Sequence, residues 1–279
     1  MSVNKHFRRI RRRLFNGTKL LYQTLSPHNQ NKAILLIVGC QRSGTTMLSR
    51  IFERDLQTKT YRESSSLSSQ DKKYKIRLNP ADKLATQLEN VKPRFVILKP
   101  LVESQNANTL LTRLPNSKAV WIYRNFYDVI SSNLRKFGAD NGIHDLRPIV
   151  ERQRNNWRAE YVPEDVFAIV QRYFSSRMSQ SDAAALFWYV RNRLYFDRQL
   201  DEDSRVMLCK YEDLVVQPTV IVRRIYDFAG QRFPGPHILG HAHSRSVGKG
   251  GGVCLSPAIL GIVTKLQERL DMNYERYSL

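Results

Sequence analysis

Four short, wholly apolar runs set the framework of the chain. Ile34-Leu35-Leu36-Ile37-Val38, Phe95-Val96-Ile97-Leu98, Ala119-Val120-Trp121-Ile122-Tyr123 and Val206-Met207-Leu208-Cys209 are too short for helices and show no polar alternation. That is the pattern of strands buried on both faces. Helical patterns come between them. One starts at about Thr45 with Met47, Leu48, Ile51 and Phe52 on one side, Pro80-Ala81-Asp82 opens a short second, Val220 to Phe228 makes a third and Pro257 to Leu270 the last. Strands alternating with helices predict an α/β fold, a parallel sheet flanked by helices. Residues 139–200 read as a helical insertion over that sheet, rich in arginine (Arg152, Arg154, Arg158, Arg172, Arg177, Arg191, Arg193, Arg198). Residues 63–79, rich in Ser and Lys, read as a mobile loop. Residues 1–31, closed by the breaker Ser26-Pro27-His28-Asn29, read as a basic appendage to a single domain over 32–279.

Charge adds a partner class. The chain holds 45 Lys+Arg against 25 Asp+Glu, a formal charge of +20. Such a balance predicts an anionic partner: nucleic acid, acidic lipid or a phosphorylated or sulfated small molecule. Seven of the basic residues (Lys5, Arg8, Arg9, Arg11, Arg12, Arg13, Lys19) fall in the first 30, where no acid occurs. With Ile10, Leu14, Phe15, Leu20, Leu21 and Tyr22 interleaved, residues 1–25 read either as a solvated basic tail or as an amphipathic helix making peripheral contact with a membrane surface. The longest apolar stretches, Ile34 to Val38 and Ala183 to Val190, are far short of the roughly 20 residues a transmembrane helix needs. No secretory signal pattern is present, and three cysteines (Cys40, Cys209, Cys254) suggest a reducing compartment, so a cytoplasmic location is expected.

The sharpest chemical feature is Gly39-Cys40-Gln41-Arg42-Ser43-Gly44-Thr45-Thr46, between the first strand and its helix. Its spacing is that of a phosphate-binding P-loop, whose glycines let backbone N–H groups converge on one anion at a helix N-terminus. Thr45 and Thr46 add hydroxyl donors. Thr45, however, stands where a nucleoside triphosphatase has its Lys, and Arg42 is the only nearby cation. A kinase or NTPase is thus the disfavoured alternative, and a basic nucleic-acid or membrane-surface binding protein is a further one.

Three ordered blocks over roughly residues 33–230 resemble the sulfotransferases that use 3′-phosphoadenosine 5′-phosphosulfate (PAPS). Gln41-Arg42-Ser43-Gly44-Thr45-Thr46 is similar to the family's 5′-phosphosulfate loop. Val120 to Ser132, a strand ending in Arg124 and a helix carrying Ser132 eight residues on, is similar to the 3′-phosphate site. Cys209-Lys210-Tyr211-Glu212-Asp213-Leu214 is similar to a strand-ending Tyr-Glu-Asp-Leu. The resemblance implies a P-loop NTPase-like sulfotransferase fold with 139–200 on the acceptor side, PAPS as donor, adenosine 3′,5′-bisphosphate as product, and transfer to an acceptor hydroxyl. The physics of the residues agrees: Arg124 and Ser132 supply a charged and a hydroxyl donor for a second, terminal phosphate. The other use for Arg124 is a pair with Asp128, one helical turn along.

Two further roles follow from the Golgi-type and bacterial branch acting on carbohydrate or tyrosine, in which a Glu after the phosphate-loop helix is the base. Glu63 occupies that place, 21 residues beyond Arg42, and no His lies between 29 and 143. Lys99 resembles a strand-end Lys that stabilises the leaving oxygen, and Ser244 to Gly252 resembles a loop closing on the 3′-phosphate through Arg245, Gly248 and Lys249. Plain alternatives are a loop charge beside Arg62 for Glu63, a snorkelling lysine for Lys99 and a flexible linker for 244–252. Tyr211, Glu212 and Asp213 read as structural caps. A sulfuryl group carries less charge than a phosphoryl group, so no metal is expected. The acceptor is expected to be a carbohydrate, glycolipid or similar hydroxyl compound, anionic if the arginines of 150–198 face it, and no specific nucleic acid is expected.

Overall fold

The computed structural model describes residues 3–25, 27, 32–71 and 75–278. Apart from Pro27, the breaker 26–29 lies outside them. In chain order the elements are α1 (Val3–Leu25), β1 (Ala33–Gly39), α2 (Thr45–Phe52), β2 (Thr58–Tyr61), β3 (Ser68–Asp71), β4 (Lys75–Leu78), α3 (Ala81–Glu89), β5 (Phe95–Leu98), a 3-10 turn (Leu101–Asn106) and α4 (Ala107–Arg113). Then come β6 (Ser117–Tyr123), α5 (Phe126–Phe137), α6 (Asn141–Val150), α7 (Glu164–Tyr173), α8 (Gln180–Asp197), β7 (Val206–Lys210), α9 (Tyr211–Val216), α10 (Pro218–Phe228), a second 3-10 turn (Pro236–Leu239) and α11 (Pro257–Ser278).

Five strands form one parallel sheet in the order β2-β5-β1-β6-β7. Its strands are apolar throughout because alternate residues enter two separate cores. Leu36, Val38, Trp121 and Tyr123 pack under α5, α6, α8 and α11. Leu35, Ile37, Val120 and Ile122 pack under α2, α9 and α10. α8 is buried on every side from Ala183 to Asn192, wedged between the sheet-covering helices α5, α6 and α11, so its sequence shows no polar stripe. Continuing from β1 the chain goes first to the β2 edge, returns to β5, then crosses to β6 and β7. The connections diverge at the C-terminal end of β1, the place where open parallel sheets bind ligands.

Two segments depart from the sequence reading. Thr58-Lys59-Thr60-Tyr61 is a fifth strand of the sheet, and the expected mobile loop 63–79 contains the antiparallel hairpin β3–β4. Both are held chiefly by backbone pairing rather than by apolar burial, so neither has a hydrophobic run. The hairpin is pinned by Leu67, which is buried in the core, and by Arg77, which pairs with Glu103 at 2.5 Å and Glu160 at 2.8 Å. The last helix also runs past Leu270, to Ser278.

Gly39 closes β1 at φ +131°, and a Cβ there would enter the carbonyl oxygen of Ile122 on β6. Neither backbone can yield without unpairing the sheet. Gly39→Ala is expected to lower unfolding free energy by about 3 kcal/mol or more, read as a fall in the denaturant midpoint.

Candidate active site

The phosphate loop turns through left-handed dihedrals at Arg42 (φ +69°) and Gly44 (φ +99°), the latter also the N-cap of α2. Such turns gather successive N–H groups into an anion-sized concavity. Ser43 is fully buried and its Oγ has no hydrogen-bond partner, a state that buried hydroxyls rarely keep unless a ligand supplies the partner. Thr45 is buried and Thr46 exposed at the start of α2. Two anchors hold the loop from outside. Gly39 N–H donates to Ser104 Oγ at 3.0 Å. Gln41 Nε2 donates at 3.0 Å to Asp145 of α6, a buried carboxylate that also accepts from Asn141 (2.7 Å) and Arg158 (2.5 Å). The helical layer over 139–200 thus positions the loop. Cys40, buried within it, has its thiol pushed up to about 12 by burial, so it is an inert packing group.

Arg124 follows β6 directly and is 3% exposed. Its guanidinium lies 4.4 Å over the Tyr211 ring, donates to the carbonyl oxygens of Arg42 (3.3 Å) and Ser246, and pairs with Asp128 at 3.2 Å. Its Nε is buried without a partner. The pairing with Asp128 is therefore real but leaves donor capacity unused. Ser132 does not bond to Arg124; its Oγ accepts from Arg42 Nε at 3.1 Å, which ties the phosphate loop to α5. Burial, then the charges of Arg124 and Arg135, lower the Arg42 pKa, the mark of cations crowded around a place for an anion.

The strip 244–252 is strapped across the start of α5. Gly248 and Lys249 N–H groups donate to the Asp128 carboxylate at 2.9 and 2.6 Å, and Ser131 Oγ donates to the Lys249 carbonyl at 2.9 Å. Gly250 lies so close to Tyr127 that a Cβ would overlap that residue. The Arg245 and Lys249 side chains are exposed. A cavity of about 600 Å³ beside the strap is lined by Tyr127, Asp128, Glu212 and Val247 among others.

Lys99 leaves the C-terminal end of β5, its N–H donating to the Tyr61 carbonyl at 2.9 Å, and its side chain is 4% exposed. Nζ is hydrogen-bonded to Glu63 Oε1 just beyond β2. Burial lowers the Lys99 pKa against the opposing pull of Glu63, and the Arg42 charge reaches it too. Arg62 pairs instead with Glu53, at 2.7 Å. Glu63, Lys99 and Arg42 thus share one edge of the sheet.

Tyr211, read from sequence as a cap, is central to this edge. Its ring fills the space beside Gly44 that a Cβ would need, it underlies Arg124, and its hydroxyl lies 2.6 Å from Ser246 Oγ. The signal available for it was its position immediately after a buried parallel strand, on the ligand-binding edge. Glu212 accepts the Asn125 N–H at 3.1 Å, and burial pushes its carboxyl up.

A phosphate loop at one strand tip and a buried, cation-rich corner at the next lie on one edge of the sheet. The chain matches the sulfotransferase domain family over residues 32–246 and belongs to that family. The family draws the sulfuryl group from PAPS, and this protein is a PAPS-dependent sulfotransferase. The sulfotransferase domain of the curacin biosynthetic pathway is similar in fold, with a TM-score of 0.51 and 16% identity over 87% of this chain and 99% of that domain. A sulfotransferase of Alicyclobacillus acidocaldarius gives 0.48 and 15% over 88% and 95%. Mouse sulfotransferase SULT7A1, solved with PAP, gives 0.40 and 17% over 85% and 72%. No curated protein gives a significant sequence match.

Proposed function

We propose that the protein transfers the sulfuryl group of PAPS, in line, to a hydroxyl of a carbohydrate or glycolipid, with Glu63 as general base. The observation that carries this reading is the Glu63–Lys99 pair on the same edge as Arg42. When bound, PAPS supplies an activated sulfuryl group on a phosphate leaving oxygen. The residues present fit that donor, since the buried Ser43 Oγ and Arg124 Nε each lack a partner. Arg42, Ser43, Gly44, Thr45 and Thr46 would hold its 5′ end; Arg124, Ser132 and the side chains of Arg245 and Lys249 would hold its 3′-phosphate, with Gly248, whose N–H is given to Asp128, shaping the strap beside it. Glu63 accepts the proton of the acceptor hydroxyl. Lys99 fixes that carboxylate, and Lys99 with Arg42 places positive charge where the leaving oxygen develops its own.

A second cavity, of about 600 Å³, is lined by Arg77, Asn106, Arg154, Glu160, Tyr161 and others between the β3–β4 hairpin and the helical layer. Its charges are largely matched: Arg77 is held by Glu103 and Glu160, and Arg152 by Glu164. Taken as the acceptor side of the site, this cavity, with its paired charges interleaved with Tyr161 and Phe167, suits a neutral, hydroxyl-rich acceptor better than a polyanion. Incubation with PAPS and a panel of acceptors tests this. Release of adenosine 3′,5′-bisphosphate is expected to accelerate with neutral sugars or glycolipids. Acceleration only by tyrosine peptides, or only by sulfated polysaccharides, would overturn the acceptor assignment.

A further inference from the structure

The helix α1 is mounted back to front. Two polar residues, Lys19 and Gln23, face the body of the protein: Lys19 Nζ donates to the Glu53 carbonyl (2.7 Å) and Thr58 Oγ1 (3.3 Å), and Gln23 Nε2 donates to the carbonyls of Leu56 (3.0 Å) and Thr58 (2.7 Å). Burial pushes Lys19 down to about 8. At 3.6 residues per turn, Ile10, Leu14, Leu21 and Leu25 fall within about 60° of one another, on the side roughly opposite Lys19 and Gln23. All four are exposed, at 41%, 67%, 61% and 75%. None of the described apolar residues of α1 joins either core. A helix normally turns such a stripe inward, so this stripe is made for something outside the chain.

Charge selects the occupant. Val3–Leu25 holds seven Lys or Arg and no Asp or Glu, and the first acidic residue of the chain is Glu53. Pairing the stripe with that of a second copy would set one such charge against its equal, with none of the opposite charges that flank a stable helix seam. A surface that is apolar beneath and anionic above answers both features. No described helix is long and apolar enough to cross a membrane, so α1 would lie on one.

We propose that α1 seats its Ile10–Leu14–Leu21–Leu25 stripe in the headgroup region of an anionic lipid surface. The attachment of α1, at Thr58, is at the start of β2, the end of the sheet away from Lys99 and Glu63, so binding there leaves the catalytic edge open.

The test is co-sedimentation of the full chain with vesicles of phosphatidylcholine alone and of phosphatidylcholine with phosphatidylglycerol. Binding is expected to be at least about tenfold tighter to the anionic vesicles, and to weaken strongly on going from about 0.1 M to about 1 M salt. The double variant Leu14→Ser, Leu21→Ser keeps the charge, removes half the stripe, and is expected to lose binding by about tenfold or more at unchanged thermal midpoint. Equal binding of the double variant and the parent would overturn the proposal, as would indifference to lipid charge. So would a concentration-dependent dimer, seen by light scattering, that the double variant abolishes, because it would name a second copy as the occupant.

Discussion

Arg124→Ala is expected to raise the Kd for adenosine 3′,5′-bisphosphate by at least about a hundredfold, a loss of about 3 kcal/mol. The size follows from the setting. Arg124 is 3% exposed, laid over the Tyr211 ring, and keeps an unpartnered Nε. A charge-assisted bond from such a group is not screened as a surface pair would be. The same substitution strips Asp128 of its ion-pair partner, and breaking a buried pair destabilises the fold. Asp128 retains the Gly248 and Lys249 amides, so the strap stays anchored and the loss of stability should be partial. Arg124→Lys separates the two effects: it keeps the charge for Asp128 but not the planar fork, so stability returns more completely than affinity. Isothermal titration and a thermal midpoint on both variants check this. An alanine variant that binds within a few-fold of the parent would remove Arg124 from the nucleotide site.

Glu63→Gln is expected to leave nucleotide affinity intact and to lower kcat by about 10²- to 10⁴-fold, the usual loss of a general base. Glutamine cannot take the acceptor's proton, and it leaves Lys99 nearly buried without a counter-charge. Burial already lowers the Lys99 pKa, and without the carboxylate it falls further. The sign for stability is then fixed. Above the folded-state pKa of Lys99 and below its unfolded value, the unfolded chain binds more protons, so stability rises with pH across that window. Below the window the cost of the buried ammonium is felt in full. The variant should therefore be less stable than the parent at neutral pH, with the gap narrowing as pH rises through the lowered pKa. Single-turnover kinetics and thermal midpoints against pH measure both. A variant with parental turnover would show that another group takes the proton.

The parts of the molecule most legible in the sequence are those whose physics is local or strongly one-dimensional. β1 is a continuous apolar run because both its faces are buried, and the loop after it needs glycine at Gly39 and Gly44, where the backbone is left-handed or crowded. β2 and the β3–β4 hairpin were not legible, because their backbone ladders demand no particular side chains. Tyr211 acquires its role only when β7 comes to lie beside the phosphate loop, and alone reads as a cap; the pairing of Asp128 with Arg124 was readable from their spacing, its grip on the strap was not. Ser132 illustrates the same limit. Its place on α5 was readable, but its bond to Arg42, which ties α5 to the phosphate loop, was not. For α1 the sequence allowed a solvated tail as readily as a helix, since arginines and leucines alternate in both.

The proposed function requires two separate corners of one sheet edge to recognise an adenosine phosphorylated at both the 3′ and 5′ positions. Titration of the unmodified protein with adenosine 3′,5′-bisphosphate, adenosine 5′-monophosphate and ATP with Mg²⁺ addresses it most directly. The bisphosphate should bind at least about a hundredfold more tightly than the monophosphate, the difference being the phosphate held at Arg124. Equal affinity for the two, or tighter binding of ATP with Mg²⁺, would contradict it.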